Sequence, residues 1–261
     1  MSIASFMTAN YVARRTGWAM HGWGHGDRET NAYFRDVETY AERLDEVLRD
    51  VRALGFDAVD VWGAHLSPAW ATHEHVAAAR EALERHGLRV TSYATWLGRD
   101  RGEIERACGI ALALGTTLIG AGASDLAAAI PVLRERGVRL GIENHPEKTP
   151  AEVLAKIERD GAVLGATVDT GWWGTQGYDP VRAIEELAPH VLHVHLKDVV
   201  REGEPHDTCR WGEGIVDAEA CVRALQRIGY AGAITVEHEP EDHDPSQECR
   251  EMREQLEAWL R

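Results

Sequence analysis

Short apolar runs alternate with longer amphipathic stretches along almost the whole chain. Several of these runs end in a residue able to ligate a metal. Val138–Ile142 leads into Glu143, Val163–Val168 into Asp169, Val191–Val194 into His195, and Ala233–Val236 into Glu237. Such runs, separated by helix-like segments, read as buried parallel strands. Further strands are expected at Ile3–Val12, Phe56–Trp62, Leu88–Thr95 and Thr117–Gly120. The intervening stretches read as helices: Val37–Leu54, His75–His86, Arg101–Leu114, Asp125–Arg136, Pro150–Arg159, one from near Pro180, Asp217–Ile228 and Pro245–Leu260. Val37, Tyr40, Leu44, Val47, Leu48 and Val51 recur at helical spacing, with Gly55 as the stop. Thr149 before Pro150 is a cap followed by a first-turn proline.

Eight strands alternating with eight helices predict an α/β fold, a (β/α)8 TIM barrel forming one domain over residues 1–261. No strand is followed by a GxGxxG turn, which argues against an open dinucleotide-binding sheet. Trp18–Gly26, rich in Gly, His and Trp, is expected to be a long loop over the barrel mouth, with Trp18 and Trp23 as pocket walls. The polar segment Asp198–Gly214 is expected to be a second long loop.

In such a barrel the active site lies at the carboxyl ends of the strands. Glu143, Asp169, His195 and Glu237 all fall there, on strands five to eight. Three carboxylates and an imidazole suit one divalent cation, Mn²⁺ first, with Mg²⁺, Co²⁺ or Zn²⁺ as alternatives. His193, two residues before His195, faces the same interior and is expected to pack or to support the ligands. Lys197 extends that face to the rim, where it either holds a substrate oxygen or pairs with Glu237 or Asp169. His145, two beyond Glu143, is a candidate base or acid. His238 and Glu239 are further rim candidates.

The chain has 261 residues, 44% hydrophobic and 27% charged, with a formal net charge of -15. That charge speaks against a nucleic-acid partner, because phosphate binding rests on Lys and Arg. No apolar run is long enough to span a membrane, and the N-terminus has no signal-peptide pattern. Cys108, Cys209, Cys221 and Cys249 form no CxxC pair, so free thiols in a reducing cytoplasm are expected. Homo-oligomerisation is possible, but no sequence feature marks it.

The motifs Ile142-Glu143-Asn144-His145, Val168-Asp169-Thr170-Gly171, His193-Val194-His195-Leu196-Lys197-Asp198, Gly212-Glu213-Gly214 and Gly229-Tyr230-Ala231-Gly232 leading into Val236-Glu237 resemble the sugar phosphate isomerase/epimerase superfamily, the xylose isomerase-like barrels. That group includes ketose 3-epimerases, hydroxypyruvate isomerases and keto-inositol dehydratases, with endonuclease IV as a distant relative. The resemblance implies that Glu143, Asp169, His195 and Glu237 bind one metal ion, and that the two glutamates move protons on opposite faces of a substrate carbon. It departs at Trp172, where the epimerases carry a histidine, and at Leu196–Arg201, which lacks their Gly-Glu-x-x-Arg segment.

The chemistry expected is isomerisation or epimerisation of a sugar or keto-sugar, by proton abstraction next to a metal-bound carbonyl through an enediolate. Elimination on a keto-inositol, keto-sugar or 3-keto-glycoside is the alternative. Glu143, Glu237 and His145 are the expected catalytic residues. Lys197, Trp172, His21, Trp23 and Arg210 are the expected substrate contacts, with His206 beside them. The many tryptophans suit a sugar face, and the absence of a Gly-rich phosphate cradle favours a non-phosphorylated carbohydrate.

Overall fold

A computed structural model describes residues 2–261. Eight parallel strands close on themselves: β1 (Ile3–Met7), β2 (Ala58–Trp62), β3 (Arg89–Ala94), β4 (Leu118–Ala121), β5 (Arg139–Glu143), β6 (Leu164–Asp169), β7 (Val191–Leu196) and β10 (Ala233–Val236), the last pairing back onto β1. Strands β8 (Asp198–Val199) and β9 (Thr208–Cys209) form a small antiparallel ribbon outside the barrel. The expected (β/α)8 barrel is therefore what the chain forms.

The helices follow the predicted order: α2 (Val37–Ala53), α3 (His73–His86), α4 (Arg101–Ala113), α5 (Leu126–Arg136), α6 (Pro150–Ile157), α8 (Pro180–Glu186), α9 (Ala218–Arg227) and α10 (Ser246–Leu260). Asp36, Asp100, Asp125, Asp179 and Asp217 each accept a backbone N–H at a helix start. Thr149 and Glu152 form a reciprocal capping box on α6. Helix α2 buries Tyr40, Leu44, Val47, Leu48 and Val51 against the strands. Each large apolar side chain so buried contributes on the order of 2 kcal/mol to holding the helix down.

Three local expectations are corrected. The first strand stops at Met7 rather than Val12, because Thr8–Tyr11 wind into a 3-10 turn. The hydroxyl of Thr8 accepts from the Trp62 N–H at 2.8 Å, which ties that turn to β2. The Gly-rich stretch is not all loop, since α1 (Trp23–Phe34) starts inside it. Its Gly26 lies so close to its neighbours that a Cβ there would stand 2.4 Å from Met20 Sδ and 2.5 Å from the Val12 carbonyl. Glycine is needed at this position for close packing, although it lowers helix propensity. An unexpected short helix, α7 (Thr170–Thr175), begins directly after Asp169, whose own carboxylate caps it by accepting from Trp172 N at 3.0 Å.

Barrel interiors of this kind are usually packed with branched apolar side chains. This one has a polar layer: Ser5, Asp60, Ser92, Thr167, His193 and Thr235 are all buried to within 1%. Asp60 is its hub. It accepts from Ser5 Oγ at 3.1 Å and Thr235 Oγ1 at 3.0 Å, and it also bonds His193 Nε2 and Thr91 Oγ1. No helix among the described residues is long and apolar enough to cross a membrane.

Candidate active site

The register of the strands sets the heights of the four candidate ligands. Asp169 pairs with His195, and His195 with Thr235, so Glu237 stands two residues higher. Glu143 pairs with Thr167 and stands lower. The stagger of a tilted barrel thus brings one donor atom from each of the four side chains within 4.8 Å of the others. His195 Nδ1 lies 2.5 Å from Glu143 Oε1 and 3.3 Å from Glu237 Oε2. Its Nε2 points the other way, 3.4 Å from Asp60 Oδ2.

Backbone clamps hold the strand ends. Asn144 bonds both backbone groups of Asp169. Asn10 donates to the Val236 carbonyl at 3.1 Å and accepts from His238 N at 2.9 Å, bracketing Glu237. Thr170 Oγ1 donates to the Lys197 carbonyl at 2.7 Å and accepts from its N–H at 2.9 Å.

Lys197 is fully buried in the same cluster. Its ammonium lies 3.2 Å from Asp169 Oδ2, 3.5 Å from Glu237 Oε2 and 3.1 Å from Glu239 Oε2. Burial works against its charge, but these carboxylates hold its pKa well above the ordinary value. Its aliphatic stem passes over Gly171, where a Cβ would meet Lys197 Cγ and Cδ at 2.7 Å. His145 sits above, with Nε2 3.4 Å from Asp169 Oδ2 and Nδ1 3.8 Å from Glu143 Oε2. Burial lowers its pKa against the pull of both carboxylates.

The two glutamates are driven apart. Burial raises both, but the charges of His145 and His195 bring Glu143 below its ordinary value, while Glu237 stays well above. Environments that separate two carboxyl groups in this way are what paired acid and base roles require. The same four residues also fit a divalent cation. Glu237 Oε2, which faces His195 Nδ1, is buried without a hydrogen-bond partner. Three carboxylates and one imidazole, backed on its far side by Asp60, are a donor set for a hard or borderline ion.

The cluster forms the floor of an open cavity of about 1380 Å³. Its walls divide unevenly. The β1–β4 side is lined mostly by Met7, Trp18, Met20, Trp23, Trp62 and Trp96. The β5–β10 side carries Glu143, His145, Trp172, His195, Lys197 and Glu237. Trp172 stacks on His206 with ring centres 4.2 Å apart and planes 9° from parallel, and touches His145 at 4.4 Å. His206 bonds Thr175 Oγ1 at 2.6 Å, and burial pushes its pKa down to about 3. The loop bearing it is pinned by Asp198, which accepts from the backbone of Val199, Gly212, Gly214 and Val216.

Not every expected contact is here. Arg210 turns away and pairs with Glu251 Oε2 at 2.6 Å, outside the cavity lining. His21 does not line the cavity either; it stacks on His25 at 5.6 Å. His238 is buried beside the floor but bonds Thr208 and Glu248 instead of facing the cavity. Trp173 and Trp211 are core residues. Asp60 was missed as part of the site. Its one signal in the sequence is a carboxylate in the middle of the apolar run Val59-Asp60-Val61.

A family model described as the xylose isomerase-like TIM barrel matches residues 48–261. An inosose dehydratase from Lacticaseibacillus casei is 26% identical over 149 residues, 49% of this chain and 50% of its own length. The chain spans half or less of the curated relatives it matches, from 34% to 50% of their lengths. Two solved structures share the fold. The probable 3-DHS dehydratase AsbF from Bacillus anthracis has a TM-score of 0.72 at 14% identity, covering 98% of this chain and 99% of its own. A xylose isomerase-like TIM barrel protein from Mycobacterium smegmatis, solved in complex with magnesium, has a TM-score of 0.68 at 21% identity, covering 84% and 89%.

Proposed function

The chain belongs to the xylose isomerase-like TIM barrel family, and from that premise we propose that it is a divalent-metal-dependent isomerase or epimerase of an uncharged keto-sugar or keto-cyclitol. The observation that carries the proposal is the convergence of Glu143, Asp169, His195 and Glu237 to within 4.8 Å at the floor of a wide aromatic-walled cavity. An ion held there, Mn²⁺ by preference, would polarise a substrate carbonyl and acidify the adjacent C–H.

The chain's own groups supply the rest. One glutamate carboxylate takes the proton from carbon. The Lys197 ammonium, fixed among three carboxylates, donates to the substrate oxygen on which negative charge develops. Delivery of a proton carried by the other glutamate to the opposite face of the same carbon is epimerisation. Return to the neighbouring carbon is isomerisation. Among the described lining residues Lys197 is the one Lys or Arg, whereas Asp27, Glu103, Glu204, Asp207, Glu241 and Asp242 ring the mouth. That balance favours a neutral substrate over a phosphate ester or a free carboxylate.

A second reading, elimination of water from a keto-cyclitol or keto-sugar, is favoured by the position of His145 above Glu143 and Asp169. That imidazole, whose pKa burial lowers, is a separate base for the proton on carbon, with the Lys197 ammonium as the acid for the departing hydroxyl, and the similarity to an inosose dehydratase supports the same reading. Both readings are tested by incubating Mn²⁺-loaded protein with keto-sugars and keto-cyclitols in D₂O. Deuterium in a product of unchanged formula is expected for the first, and loss of water for the second. Glu143→Gln and Glu237→Gln should each abolish turnover, and an active double variant would overturn the assignment of the site.

A further inference from the structure

We propose that the segment after β10 holds a second metal site, built by His238, His243 and Glu248 and suited to Zn²⁺ or a similar borderline ion. The three side chains come from one short stretch, His238-x4-His243-x4-Glu248, with Glu248 in the first turn of α10. His238 Nε2 and His243 Nε2 each lie 2.9 Å from Glu248 Oε2, and the donor atoms all fall within 4.8 Å of one another.

The outer nitrogens make the case for an ion. His243 Nδ1 is 2.7 Å from Asp242 Oδ1, and His238 Nδ1 is 3.1 Å from Thr208 Oγ1. A histidine that donates Nδ1–H to a carboxylate presents the lone pair of Nε2, and this is how metal-bound imidazoles are ordinarily held. Nε2 of both rings therefore faces the Glu248 carboxylate, where either a proton or a cation joins them. Two imidazoles and one carboxylate are a zinc donor set with a position to spare. They differ in kind from the carboxylate-rich cluster in the barrel. His238 is buried and its backbone is bonded to Asn10, so one ligand is fixed. The His243 side chain is 47% exposed and leaves the ion a way in.

Such an ion would staple the loop 239–245 to α10. That loop carries Glu239, which contacts Lys197, and Glu241, whose carbonyl accepts from Met20 N at 3.2 Å and whose carboxylate accepts from Gly22 N at 3.3 Å. The site therefore sets one wall of the cavity, which His243 itself helps to line.

The test is Zn²⁺ and Co²⁺ titration of the metal-stripped full chain beside His243→Ala and Glu248→Gln. Wild type should take up one more equivalent of Zn²⁺ than either variant, whatever the barrel cluster binds. It should also develop a visible Co²⁺ d–d absorption of tetrahedral strength that both variants lose. Zn²⁺ should raise the melting temperature of wild type by more than that of the variants. His243 is a surface residue, so its variant will fold. Equal zinc stoichiometry in wild type and His243→Ala would overturn the proposal.

Discussion

The side-chain amide of Asn144 grips the backbone of Asp169 from both sides, accepting from its N–H at 2.8 Å and donating to its carbonyl at 3.0 Å. All four atoms are buried. The clamp continues the ladder between β5 and β6 past the point where the strands separate. It therefore fixes Glu143 and Asp169, on neighbouring strands, relative to each other.

Asn144→Ala should leave two buried backbone groups without partners, at about 1–3 kcal/mol each. Thermal unfolding should fall accordingly, and Mn²⁺ affinity should weaken by roughly 10–100-fold, as for other supports of metal ligands. Unchanged affinity by calorimetric titration would mean that the clamp serves the fold alone.

Asp60→Asn tests the polar layer beneath the site. Burial raises the Asp60 carboxyl, but His193 and His195 hold it well below the carboxylate range. The amide is close in size but carries no charge to set against the two imidazoles. Metal affinity should drop by about 10–100-fold while the barrel still folds. If circular dichroism and metal affinity are both unaltered, Asp60 is merely a filler.

Gly171→Ala should push the Lys197 stem out of place, because the added methyl would overlap Cγ and Cδ. Turnover should fall by roughly tenfold to a hundredfold, the scale of a misplacement of about 1 Å. Metal stoichiometry should stay as in wild type. Full activity in this variant would argue that Lys197 does not touch the substrate.

His65 gives the stability a pH dependence unrelated to the cavity floor. It is buried against Phe34 and Trp62, with ring centres 4.7 and 5.5 Å away, and its Nδ1 has no partner. Burial, with Arg14 and Arg15 nearby, pushes its pKa down to about 3 from 6.5. Below pH 6.5 the unfolded chain binds a proton there that the folded chain refuses, so stability must fall as pH drops from 6.5 toward 3. The slope is up to about 1.4 kcal/mol per pH unit. Urea unfolding at about pH 7.5 and about pH 5 should show His65→Gln losing about 2 kcal/mol less than wild type over that range. Parallel losses would contradict the assignment.

The four candidate metal ligands could be read in the sequence because each ends an apolar run. A strand buried on both faces announces itself, and so does the polar residue that stops it. Asp60 could not be read this way, since it lies inside its run, and only the pairing of β1, β2, β7 and β10 makes it the centre of a layer. The α1 helix escaped because two of its first four residues, Gly24 and Gly26, are poor helix formers, and close packing holds Gly26 in place against its propensity. Arg210 was misjudged for the opposite reason. A loop charge near the mouth looks like a substrate contact until Glu251, on a later helix, is seen to take it. Trp172, an expected substrate contact, lines the cavity, but its partner His206 lies 34 positions downstream on a loop that no periodicity defines.

The two halves of the cavity wall are different material: mostly aromatic and thioether on β1–β4, ionisable on β5–β10. Most of the apolar wall and most of the ionisable groups therefore come from separate parts of the chain, while Asn10 and Asp60 reach across to hold Glu237 and His195. Substitutions at Trp18, Trp23 or Trp96 retune which molecule fits without touching the groups that move protons. A chimera joining the first half of one such barrel to the second half of another keeps its reaction only where the first half still supplies that asparagine and that aspartate.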